Sequence, residues 1–121
     1  MSAATRLGLA CLLAALAAGC SGSGMPGKAK ATPEEVAAAR AGLPEADRAL
    51  ADEQEWCAVA TKQRLGSMGV PVKVAVNGTA VLLCCSHCEK KALADAAKTL
   101  AAAEANRKRA AEERAAKRNR P

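Results

Sequence analysis

A chain with one tryptophan, Trp56, and neither phenylalanine nor tyrosine has few bulky side chains from which to build a core. Half of the 121 residues are hydrophobic, but most of those are alanines, which each bury little area. A domain with so small a core commonly needs a disulfide or a bound metal to be stable. The six cysteines are therefore the residues that most need explaining.

Two of the six belong to the start of the chain. Arg6 precedes an apolar run of twelve residues, 7–18, which is too short to span a bilayer as a helix but fits the core of a secretory signal peptide. Cys11 lies inside that run, and Cys20 follows Leu16-Ala17-Ala18-Gly19. Small residues before a cysteine at this point resemble the lipobox of bacterial lipoproteins. The resemblance implies that Cys20 is acylated on its sulfur and becomes the mature N-terminus. The competing expectation is an ordinary signal peptide cut near Ala18, which leaves Cys20 a free thiol. Ser21-Gly22-Ser23-Gly24-Met25-Pro26-Gly27 then reads as a flexible tether. The expected organisation is a lipoprotein signal peptide over 1–19, a tether over 20–31, a helical segment over 32–55, a cysteine-rich module over 56–104 and a basic tail over 105–121.

Thr32-Pro33-Glu34-Glu35 predicts a helix start, with Thr32 capping, Pro33 at the first position and Glu35 closing a capping box. That helix should run to about Arg40 and stop at Gly42; Pro44-Glu45 opens a second one, to about Glu55. Val70, Val72, Val74 and Val76 then alternate with other residues in the period of a strand. Asn77-Gly78 is the dipeptide favoured in a type I′ hairpin turn, and residues 79–84 return as the partner strand. After Cys88, Leu93, Ala96, Ala97, Leu100 and Ala103 recur at helical spacing, a stripe that fades after Ala105. The expected fold class is α+β: a small treble-clef-like β-hairpin with a cysteine knuckle, N-terminal helices and a long C-terminal helix.

Four cysteines remain for chemistry in the folded part. Cys57 precedes the hairpin, and Cys84-Cys85-Ser86-His87-Cys88 sits where the second strand hands over to the last helix. Cys84 and Cys85 are each spaced so that their sulfur can face one ion together with that of Cys88, and Cys57 would join them across the hairpin. His87 or Cys85 would complete a tetrahedral set of the kind zinc prefers. Thiolate-rich ligation selects zinc or copper over magnesium or calcium, and Met68 offers a thioether suited to Cu(I) if it does not simply pack beneath the hairpin. A structural disulfide from Cys57 to Cys84, Cys85 or Cys88 stays open as an alternative in an oxidising compartment, as does thiol-redox chemistry at Cys85-Ser86-His87-Cys88. An adjacent pair such as Cys84-Cys85 is a poor partner for a mutual disulfide, because closing it strains the backbone.

One cysteine, a hairpin, then Cys-x-x-x-Cys opening a helix resembles the heavy-metal-binding TRASH and YHS modules. The resemblance implies Cys57 as the first ligand, with Cys84 and Cys88 as the closing pair. Leu83 stands where that pattern has an aromatic, and 26 residues separate Cys57 from Cys84. Over roughly residues 44–102 the chain is also similar to small exported proteins found in planctomycetes, with Ala58 where those tend to carry proline.

The net charge of +6 comes mostly from the end of the chain, where residues 105–121 hold seven basic residues against Glu112 and Glu113. The expected partners are a membrane reached through the lipid anchor, a metal ion, and anionic envelope components facing the basic tail. Nucleic acid is not expected, because the chain reads as exported and the basic run lacks aromatics for base stacking. No hydrolase, phosphate-binding or paired-carboxylate motif is present, and Gly66-Ser67-Met68-Gly69 lacks the strand–turn–helix context of a nucleophile elbow. The sequence therefore points to a non-enzymatic metal-binding lipoprotein of the cell envelope.

Overall fold

The computed structural model describes residues 30–121. The expected signal peptide, Cys11, Cys20 as the expected lipidation residue, and most of the expected tether lie outside the described residues.

The first helix, α1 (Pro33–Ala41), begins with the reciprocal capping box. The Glu35 amide donates to Thr32 Oγ1 at 3.2 Å, and the Thr32 amide donates to Glu35 Oε2 at 2.7 Å. No residue of α1 is fully buried. Arg40 fastens the helix instead, donating through Nε to the Leu65 carbonyl at 2.8 Å and through Nη2 to the Glu55 carbonyl at 3.1 Å. Gly42 ends α1, and the chain passes through buried Leu43 into α2 (Glu45–Gln54).

Asp47, Ala51 and Gln54 form the buried stripe of α2. The helix stops where Glu55 takes a positive φ, 62° with ψ −40°, at the centre of a tight turn in which the Trp56 amide donates to the Gln54 carbonyl at 2.7 Å. So sparsely populated a backbone region costs about 1–3 kcal/mol, and three contacts offset that cost. The Glu55 carbonyl receives the Leu65 amide at 2.9 Å as well as Arg40, and its carboxylate meets Arg64 at 3.0 Å.

The hairpin pairs β1 (Val72–Val76) with β2 (Thr79–Leu83) in antiparallel register, from Val72 opposite Leu83 to Val76 opposite Thr79. Asn77 and Gly78 both have positive φ, 48° and 78°, as the type I′ turn requires. Val70 falls outside β1, beyond Pro71, which has no amide to give a ladder. Lys73 reaches from β1 to Asp47 of α2 at 2.7 Å. The outer edge of β2 is closed by a side chain: Gln54 Oε1 accepts from the Leu82 amide at 3.0 Å, and Gln54 Nε2 donates to the Leu82 carbonyl at 2.6 Å. The Gln54 amide group thus stands in for a neighbouring strand, and no bare edge is left at Leu82.

After β2 a single 3-10 turn (Ser86–Cys88) leads into α3 (Glu89–Ala94) and α4 (Ala96–Arg118). The sequence pattern predicted one helix here, and Asp95 divides it. The Asp95 carboxylate accepts the Lys98 amide at 3.2 Å and caps α4. Thr99 Oγ1 donates to the carbonyls of Ala92 and Asp95, at 3.0 and 2.9 Å, binding the two helices across the break. A stripe drawn for an unbroken helix therefore changes face at Asp95. Of its members Ala103 is buried, Ala96 and Leu100 are partly so, and Ala97 and Leu93 are exposed. The buried stripe of α4 is Thr99, Ala103, Asn106 and Ala110. Residues set apart as a basic tail from 105 continue this helix to Arg118.

The core is as small as the composition implied. Leu65, Leu82, Leu83, Val76 and Val81 are fully buried, and alanines 51, 92 and 103 let the helices approach them closely. Cys57 and Cys84 belong to the same cluster. The result is an α+β fold in which a treble-clef-like hairpin with a cysteine knuckle is flanked by N-terminal helices and a long C-terminal helix. Among the described residues no helix is long and apolar enough to cross a membrane.

Candidate metal centre

Cys57 is placed by a loop that closes on itself. Trp56 and Arg64 form an isolated antiparallel bridge, the Cys57 amide donates to the Gln63 carbonyl at 2.9 Å, and the Gln63 amide donates to Ala60 at 2.8 Å. Inside the loop the amides of Val59 and Ala60 both point at Cys57 Sγ, at 3.4 and 3.3 Å. Amide donors aimed at a sulfur orient it as a ligand. From the other side Asn106 of α4 donates through Nδ2 to the carbonyls of Trp56 and Cys57, each at 3.1 Å. The loop is thus held from within and from above.

Cys84 follows β2 into the core. The 3-10 turn then folds the chain back, with the Cys88 amide donating to the Cys85 carbonyl at 3.2 Å. This brings Cys88 Sγ to 3.8 Å from Cys84 Sγ. The sulfurs of Cys57, Cys84 and Cys88 all lie within 4.8 Å of one another. Thiolates bound to one zinc ion at about 2.3 Å stand about 3.8 Å apart in a tetrahedron, so small side-chain shifts suffice to close this triangle on an ion.

No protein-family model, curated protein or solved structure matches the chain.

The donor set itself is informative. Burial pushes the Cys84 thiol well above its usual range, and the nearby Cys57 adds to the effect. Burial, then Cys57, also raises Cys88. Crowded sulfurs in an apolar pocket resist ionising together, and a cation at their centre reverses that preference. Cys85 differs: the neighbouring His87 side chain favours its thiolate and lowers the thiol to about 7.

The four described cysteines are free. The Cys84–Cys88 and Cys84–Cys85 sulfur pairs, at 3.8 and 3.9 Å, stand well beyond the bond length of about 2.05 Å of a disulfide. Of the residues picked from the sequence, Cys57, Cys84 and Cys88 come together, while Cys85 adjoins Cys84 on the half-exposed side and His87 is exposed. Met68 is 42 % exposed. Trp56 is buried, although its cover is cationic: the Arg109 guanidinium lies 3.7 Å from the ring centroid, with Arg64 at 5.3 Å.

Sequence reasoning missed Gln54, Asn106 and Arg40, the polar residues that fix the frame of the site. Asn106 sits on the buried stripe of α4, but a search for apolar periodicity passes over an amide at such a position.

Proposed function

We propose that this chain is a non-enzymatic metal-binding protein that holds a zinc or copper(I) ion on Cys57, Cys84 and Cys88. One observation carries the reading: three sulfurs from two separate segments converge within 4.8 Å, two of them buried. The order of ligand, hairpin and ligand pair at a helix start supports a place among TRASH- and YHS-like modules. A lipid on Cys20 and a site at the cell envelope belong to the same proposal, supported by the leader-like run before that cysteine.

The test is a competition titration of the reduced protein against chromophoric chelators of known affinity for zinc and Cu(I). The expected outcome is one tightly held ion per chain, lost in a Cys57→Ser or Cys84→Ser variant that remains folded. Failure to bind either ion, or unchanged binding in both variants, overturns the reading.

A thiol-redox role is the second reading, favoured by the readily ionised Cys85 close to Cys84. It requires the reduced protein to turn over a disulfide substrate, with activity abolished by Cys85→Ser.

A further inference from the structure

The cluster contains more sulfur than the triangle uses. Cys85 has extended backbone angles, φ −161° and ψ 167°. Successive side chains of an extended segment point to opposite sides. Cys84 therefore enters the core while Cys85 turns toward solvent, and Cys85 is half-buried where Cys84 is 3 % exposed. The Cys85 sulfur nonetheless stays 3.9 Å from that of Cys84, which itself is 3.8 Å from Cys88. The protein thus carries a three-sulfur site, largely buried, with a fourth sulfur standing on its rim.

A site closed by four protein ligands holds a metal structurally, whereas three protein ligands leave a position open to exchange. We infer that Cys85 is the exchange ligand of this site, the sulfur through which the ion passes between the buried triangle and a thiol-bearing donor or acceptor. This rests on the metal-binding reading above. On release, the Cys85 thiol gives its proton to water and its sulfur bonds the ion as the bond to Cys88 breaks. Cys88 takes up a proton, and the oxidation state of the ion does not change. The thiolate of the acceptor then bonds the ion, and the bonds to Cys57, Cys84 and Cys85 break in turn as protons return to those sulfurs. Loading runs through the same steps in reverse.

Affinity and exchange rate separate this role from its alternatives. The experiment uses the full chain in detergent, with Cys11→Ser and Cys20→Ser so that the four clustered cysteines are the only thiols. Cu(I) is loaded, its dissociation constant is measured by competition with bathocuproine disulfonate, and the rate of its transfer to glutathione is followed by stopped flow. Cys85→Ser is expected to leave the dissociation constant within about twofold and to slow transfer about tenfold or more. Cys85→His, which returns a metal-binding donor to the rim, is expected to restore part of the rate. Thermal melts of the metal-free variants check that each is folded; the half-exposed position of Cys85 makes that the expected result.

An unchanged transfer rate in Cys85→Ser overturns the inference, because the rim sulfur is then a bystander. A dissociation constant weakened as much as by Cys84→Ser also overturns it, because Cys85 is then a holding ligand. If the parent chain binds no ion, the metal-binding reading fails and this inference with it. A parent that binds tightly while Cys85→Ser exchanges normally leaves the metal site standing and removes only the role of Cys85.

Discussion

Cys84 and Cys85 are neighbours in sequence with opposite chemistry, because one backbone conformation sends their sulfurs to different surroundings. Burial holds the Cys84 thiol neutral, whereas His87 lowers Cys85 to about 7. In the metal-free protein Cys85 should be the first thiol to react with iodoacetamide, its rate rising through about pH 7 to a plateau. Cys84 should remain unmodified over that range. Replacing His87 with alanine should move the Cys85 inflection toward the ordinary thiol range. Mass spectrometry of peptides alkylated at a series of pH values reads all of this directly, and an unmoved inflection would rule out His87 as the cause.

Gly66 illustrates a different kind of residue-scale constraint. It has φ 97°, and a Cβ there would lie 2.7 Å from the Val36 carbonyl oxygen of α1. Gly66→Ala thus combines an unfavourable backbone region with a clash against main chain. The expected result is a chain destabilised by more than about 1 kcal/mol, measured by urea unfolding.

At the scale of elements, the hairpin depends on an amide group it does not contain. Gln54→Ala leaves the Leu82 amide without its acceptor and opens a cavity beside Leu82. A loss of about 1–3 kcal/mol is expected for one buried group left unpaired, and Gln54→Leu should not recover it, because volume alone cannot bond to Leu82. Asp95→Ala removes the cap of α4 and should cost about 1 kcal/mol.

These elements also show what was legible in the sequence. The α1 start, the hairpin with its turn, and the hand-over from strand to helix at Cys84–Cys88 are local signals, written in residues close together in the chain, and they could be read directly. The division at Asp95 was not read, because alanine-rich sequence continues the helical pattern on both sides and hides the one local sign of a break, the capping carboxylate of Asp95. The convergence of Cys57 with Cys84 and Cys88 was read from the expectation that a hairpin folds between them. The different standing of Cys85 could not be read that way, since it depends on one pair of backbone angles.

At the scale of the whole molecule, the C-terminal helix is a structural member of the module. Asn106 binds the carbonyls on either side of the Trp56–Cys57 bond, Ala110 is buried, and Arg114 donates to the Asp52 carbonyl at 2.6 Å. Removing residues 105–121 should expose Trp56, shift its fluorescence to the red and weaken metal binding along with the fold. Asn106→Ala alone should show the same direction at about 1–3 kcal/mol.

The pH dependence of global stability follows from the cysteines. Thiols raised in the folded state stay protonated there while the unfolded chain ionises at the ordinary value of 9.0, so the unfolded state binds fewer protons above that pH. The metal-free protein should therefore lose stability as pH rises above about 9. Cys85 acts in the opposite sense, adding stability between about 7 and 9. Bound metal should flatten the loss at high pH, since its ligands are already deprotonated, and thermal melts with and without a chelator across pH 6–10 test the sign.

The bonds from Asn106 to Trp56 and Cys57 span 50 and 49 residues of the chain, and this sets an order of events during synthesis. A polypeptide emerges N-terminus first. Cys57, Cys84 and Cys88 all leave the ribosome before the helix that pins the Cys57 loop is complete. A growing chain therefore holds its thiols on an unfinished scaffold until Asn106 and the helix around it can reach the Cys57 loop.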